Sequence, residues 1–141
     1  MNTPFKPLAV ALAALALWSG AAIAQTDRLI VELNKFEAID DGCRTFFLFR
    51  NQTVNVFQGF EMSLAILDDE GIIDRLLTVD AAPLPAERTT LKLFEIPETS
   101  CESVGEILLH EISTCEPDQG GPIDCFDIVD LRSRTSAPLV K

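Results

Sequence analysis

Apolar and polar residues alternate along most of the chain beyond residue 28, and turn-forming residues punctuate the runs. Leu29, Val31 and Leu33 alternate with Ile30, Glu32 and Asn34, which predicts a strand with one more polar face. Asp40-Asp41-Gly42 reads as a turn, and residues 45–49 as a short aromatic strand that is apolar on both faces. Residues 51–55 are polar and turn-like. Phe60, Met62, Leu64 and Ile66 show the cleanest alternation in the chain, and Asp68-Asp69-Glu70-Gly71 reads as a hairpin turn into a strand over residues 72–79. Two prolines make residues 81–86 a loop, and residues 89–96 predict a further strand ended by Pro97. A last strand is expected over residues 125–131, after a turn at residues 118–122; residues 132–141 carry no clear signal.

Residues 104–113 are strongly apolar and fit two descriptions. Ser103 and Glu106 imitate a helix capping box, and Val104, Ile107, Leu108 and Ile112 could line a helix face. Gly105 would then sit in the first helical turn, the segment is short, and every neighbour reads as a strand, so a strand is the expectation. About seven short strands with no sustained helix predict an all-β chain folded as a β-sandwich. Nothing repeats at a fixed period, and no internal domain boundary is visible.

The first residues set the compartment. Lys6 supplies a positive charge ahead of an apolar run from Leu8 to Trp18, and Ala22-Ile23-Ala24 matches the small-residue pattern that signal peptidase accepts. Residues 1–24 therefore read as a signal peptide cleaved before Gln25, with residues 25–141 as a single domain. Leu8 to Ile23, interrupted by Ser19 and Gly20, falls short of the roughly 20 apolar residues of a membrane span. No paired arginines precede the run, which favours the general export route, and no cysteine at the junction offers a site for a lipid anchor. The expected location is periplasmic or secreted, with no membrane span after cleavage.

Removing the leader leaves 117 of 141 residues; Lys6 is its only charge, so the net charge moves from −11 to −12. That charge repels nucleic acid and anionic lipid, so neither is expected as a partner. Cys43, Cys101, Cys115 and Cys125 are four in number, an even set that in an exported chain reads as two disulfides. They contain no C-x-x-C, and their spacings match no zinc ribbon or finger.

Catalytic parts are scarce. His110 is the only histidine, and on a strand it and Glu111 would point to opposite faces, so they form no dyad. No glycine-rich phosphate loop is present, and no cofactor, metal or catalytic residue is assigned. Asp68, Asp69, Glu70 and Asp74 form the densest acidic cluster, but they lack the spacing of a calcium-binding loop, and a solvated hairpin turn explains them. Asn51-Gln52-Thr53 matches a glycosylation acceptor, a chance match beside a leader of bacterial type. The only Trp is in the leader and Tyr is absent, which disfavours carbohydrate and proline-rich ligands.

From Phe60 onward the text FEMSLAILDDEGIIDR…LPAERTTLKLFEIP resembles the immunoglobulin-like and fibronectin-type modules of bacterial envelope proteins. Those modules show a strand ending in an acid-and-glycine turn, a second strand, then a proline-bearing loop before a strand that begins with Thr or Ser. The chain is most similar to exported bacterial proteins that carry such a module alone, although the core Trp of antibody-type domains is missing. The resemblance implies strands B and F at residues 45–49 and 104–113, in opposite sheets. Cys43 and Cys101 would then share one end of the sandwich, and Cys115 and Cys125 an F–G hairpin at the other, giving the pairs Cys43–Cys101 and Cys115–Cys125. The expected role is a non-catalytic module that binds another envelope protein, with edge strands as the physical means. The alternative is binding of a small ligand or divalent cation at Asp68–Asp74 or between the sheets.

Overall fold

In the computed structural model, residues 1, 2, 4 and 27–141 are described; the apolar leader and the Ala24–Gln25 junction lie outside the described residues. Eight strands and one short helix follow: β1 (Leu29–Ile39), β2 (Gly42–Asn51), β3 (Phe57–Leu67), β4 (Ile73–Asp80), β5 (Arg88–Pro97), β6 (Glu106–Pro117), α1 (Cys125–Ile128), β7 (Val129–Ser133) and β8 (Leu139–Val140). They form two four-stranded sheets, ordered β5-β2-β1-β7 and β4-β3-β6-β8. The architecture is all-β and two-layered, as the alternation requires. Each strand must bury every second residue, and two such faces satisfy one another.

Leu29, Val31 and Leu33 from β1, Phe47 and Phe49 from β2, and Phe60, Met62, Leu64 and Ile66 from β3 are all buried in one core cluster. Phe49 crosses the gap to Phe60 at 6.2 Å, edge to face, and Phe60 meets Phe57 the same way at 6.0 Å. Every buried side-chain nitrogen or oxygen among the described residues has a hydrogen-bond partner.

The ambiguous segment is a strand. Residues 101–103 make a single 3-10 turn and β6 begins at Glu106. Gly105 explains the choice: a Cβ there would lie 2.3 Å from the Asp68 carbonyl oxygen, and its N–H donates to Leu67 O at 2.8 Å. The glycine is a close backbone approach between neighbouring strands, not a weak helix start.

The C-terminal part differs from expectation. Residues 125–128 are a one-turn helix rather than the start of a strand, because Asp124 accepts a hydrogen bond from Phe126 N–H and caps the turn. The chain then leaves β6 altogether. β7 pairs parallel with β1 in the first sheet, from Leu29↔Val129 to Leu33↔Ser133, and β8 returns to lie parallel to β6 in the second. The expected hairpin between the last two strands is thus a crossover, and strands number eight, two of them short. His110 falls where the β3–β6 register shifts, and it and Glu111 are both exposed instead of alternating cleanly.

Cys43 is joined to Cys101 and Cys115 to Cys125, at sequence separations of 58 and 10. The first clamps the end that holds the β1–β2 turn; the second clamps the opposite end, where α1 crosses between sheets. Loop-closure entropy scales with the logarithm of loop length, giving about 4 kcal/mol for the longer loop and about 3 kcal/mol for the shorter. Urea unfolding of Cys43→Ala/Cys101→Ala should therefore show a larger loss of stability than Cys115→Ala/Cys125→Ala.

Candidate binding surface

The register of the first sheet lays its outward residues in rows. Leu91, Leu48, Glu32 and Arg132 stand side by side across all four strands. Thr89, Arg50, Ile30 and Asp130 form the next row on one side, and Leu93, Phe46 and Lys35 the next on the other. At about 4.8 Å between strands each full row is about 14 Å wide. On β5 and β2, Leu91, Leu48, Leu93 and Phe46 make an apolar patch over two adjacent rows, while Glu32, Arg132 and Asp130 make β1 and β7 the more polar side.

Leu91 and Leu93 are 52% and 47% exposed, high values for leucines in a ten-residue strand. Phe46 and Leu48 beside them are half-buried, yet they belong to no part of the core cluster. Lys35 gives Phe46 part of its cover, its Nζ sitting 5.1 Å from the centre of the ring. This is the aromatic segment that read as apolar on both faces: its odd-numbered residues fill the core and its even-numbered ones face out.

The polar half is organised by Glu32, a carboxylate with 2% side-chain exposure. Its Oε1 accepts from Asn34 Nδ2 at 2.8 Å, Arg134 Nε at 3.3 Å and Arg50 Nη2 at 3.4 Å. The Asn34 amide, with the charges of Arg134 and Arg50, holds the Glu32 carboxyl below its ordinary range, against the opposing effect of burial. Arg132, in the same row, is exposed and makes no ion pair or side-chain hydrogen bond among the described residues. Glu32 thus anchors two of three neighbouring guanidinium groups and leaves most of their donors facing out.

The second sheet also has an outward apolar row, Leu76, Ala65, Leu108 and Val140, with Leu76 62% exposed, and differs from the first in charge. The strands of the first sheet carry six basic residues (Lys35, Arg44, Arg50, Arg88, Lys92, Arg132) against four acids. Those of the second sheet carry six acids (Glu61, Asp74, Asp80, Glu106, Glu111, Glu116) and one arginine, Arg75. Both long edges hold an inward-turned charge: Lys92 of β5 donates to Ala82 O at 3.1 Å, and Arg75 of β4 donates to Pro97 O. Inward charges on edge strands oppose continuation of the sheet by another strand.

The other sites read from the sequence have local duties. Asp68 Oδ1 accepts from the N–H groups of Glu70 and Ile72, each at 2.9 Å, which closes the hairpin turn. Asp74 binds Arg75 and the Thr99 hydroxyl, which hold its carboxyl below the ordinary range. Among the described residues no three His, Cys, Asp or Glu side chains converge to hold a metal ion. Asn51 is buried, and its amide donates to the carbonyls of Asn55, Leu84 and Pro85 while its oxygen accepts from Thr53, so the acceptor motif serves as a loop clamp. A cleft of about 660 Å³ beside Cys101 is lined by Asp40, Asp41, Glu98 and Glu102 among others. No helix among the described residues is long and apolar enough to cross a membrane.

No protein-family model matches the chain, and no curated protein does. Among solved structures, IrmA from Escherichia coli is similar, with a TM-score of 0.56 over 74% of this chain and 90% of that one. At 15% identity the likeness is one of fold, a bacterial β-sandwich, and it carries no residue roles.

Glu32 and Arg132 were not singled out by sequence reasoning, and Leu91 and Leu93 passed as ordinary strand residues. The missing information was register, which sets who neighbours whom. Replacing Glu32 by Gln should lower stability at pH 7 by about 2 kcal/mol, the loss of charge-assisted bonds at a buried acceptor. Because the folded-state carboxyl titrates lower than the unfolded one, the stabilisation is complete above about pH 4.3 and fades as pH falls through the folded value. Urea midpoints of the two proteins should therefore differ at pH 7 and converge near the acid limit.

Proposed function

We propose that the chain is a non-catalytic, exported module that binds another envelope protein through the outward face of its first sheet. The observation that carries this reading is the patch of Leu91, Leu48, Leu93 and Phe46 in two adjacent rows, apolar residues outside the core, the two leucines of β5 lying open on a strongly acidic protein. Apolar groups left in water at a sheet face cost solubility, and contiguous ones mark contact sites. Inward-turned Lys92 and Arg75 disfavour simple strand addition at the edges, so docking runs from β5 onto the face rather than outward from it.

Two disulfides are consistent with an oxidising location. Together with the leader at residues 1–24, they support export to the periplasm or beyond. The immunoglobulin-like reading draws support from the partition of strands, with β1, β2 and β5 in one sheet and β3, β4 and β6 in the other. The parallel β7 and β8 are additions to that plan.

A photo-crosslinking residue at Thr89, on the outward face, should give a discrete adduct in cells exporting the protein; the same residue at Thr78, on the second sheet, should not. Leu91→Asp/Leu93→Asp in the Thr89 background should reduce the adduct about tenfold or more, as expected when central apolar anchors are lost, with an unchanged melting temperature. Absence of any Thr89 adduct would count against docking at this face.

A further inference from the structure

We infer that the partner presents an acidic, apolar segment: Leu, Ile, Val or Phe side chains that rest on Phe46, Leu48, Leu91 and Leu93, with carboxylates reaching Arg50, Arg132 and Arg134. This rests on the first-sheet face being the docking surface and adds the chemistry of what docks there.

Register places the two halves of the site in the same rows. Leu91 and Leu48 lie in line with Glu32 and Arg132, and Thr89 and Arg50 lie in line with Ile30 and Asp130. A segment crossing the sheet therefore passes from an apolar floor to a guanidinium corner within about 14 Å. The corner has three arginines and one buried acid, Glu32, so its local balance is positive although the whole chain is at −11. Asp130, the nearest other acid in those rows, is engaged by Arg28 at 3.6 Å.

Donor count points the same way. A guanidinium has five N–H donors in a planar fork that matches a carboxylate. Arg50 and Arg134 each give Glu32 a single bond, and Arg132 gives none among the described residues. Glu32 holds two of the forks in place, which lowers the ordering cost when a carboxylate arrives. A basic segment would meet like charge at this corner and find its counter-charges on the opposite sheet, where β3, β6 and β8 contain no Lys or Arg. The net charge of the chain thus misleads about the partner: the chain is acidic, but the corner of the face that meets the partner is locally positive.

The test uses the full exported protein with both disulfides intact and two matched pools of synthetic peptides. Each peptide is about eight residues long, enough to cross the sheet at about 3.3 Å per residue. One pool alternates Leu, Ile, Val or Phe with Asp or Glu; the other alternates the same apolar residues with Lys or Arg. Fluorescence anisotropy should show the acidic pool binding about tenfold or more tightly, with amide shifts in NMR spectra confined to β2, β5, β1 and β7. Arg132→Gln should weaken that binding about fivefold or more without lowering the melting temperature, and Arg132→Lys should restore part of it.

Preference for the basic pool at the same face would overturn the partner chemistry while leaving the docking surface in place. Binding of neither pool, or shifts confined to the second sheet, would overturn both readings. Two further outcomes overturn the inference when the peptide pools stay silent. One is binding to phosphatidylglycerol vesicles. The other is concentration-dependent self-association in sedimentation, which would assign the face to the second sheet of another copy.

Discussion

The contact of Phe49 with Phe60 across the gap between sheets is the constraint on which the other features depend. It requires β2 and β3 to turn their alternate residues toward each other, and that fixes the phase of both strands. Once Phe47 and Phe49 face inward, Phe46 and Leu48 have no choice but to face out, because side chains of a strand alternate with a period of two. The apolar floor on the outward face is therefore a geometric consequence of how β2 reaches the core. Leu91 and Leu93 follow from the same phase, since Ile96 and Phe94 pack inward from β5.

The ends of the sandwich hold this arrangement rigid. Cys43–Cys101 closes one end, and there Gly105 brings the start of β6 against Asp68 with no room for a side chain. Cys115–Cys125 closes the other, where the chain passes through α1 from the second sheet to the first. Asn51, buried under the loops at that end, ties three carbonyls together and satisfies backbone groups that would otherwise be stranded. A face carried on strands braced in this way holds its side chains with little freedom to lose.

Charge is distributed by sheet. The charges on the strands of the second sheet are almost all acidic, whereas those of the first show an excess of basic residues and include, among the described residues, the one deeply buried carboxylate. Glu32 is tolerated in that position because Asn34, Arg50 and Arg134 satisfy it; without them a buried carboxylate would be costly. Its effect is to position guanidinium groups beside an apolar floor.

Much of this was written in local pattern. Alternation at Leu29–Leu33 and Phe60–Ile66, the glycine turns, and four cysteines in an even set were enough for an all-β, two-layer, cross-linked domain, because strand periodicity and turn chemistry are properties of neighbouring residues. The strand at Glu106–Pro117 was legible by elimination, while Asp124 concealed the short helix that replaced the start of the last strand. What only the tertiary structure decided was pairing across distance: that β7 crosses to lie beside β1, that Arg134 reaches Glu32 over 102 residues, and that Leu91 stands in line with Arg132. Periodicity says which way a side chain points; register between strands far apart in sequence says what it meets, and that is set by packing of the whole sandwich.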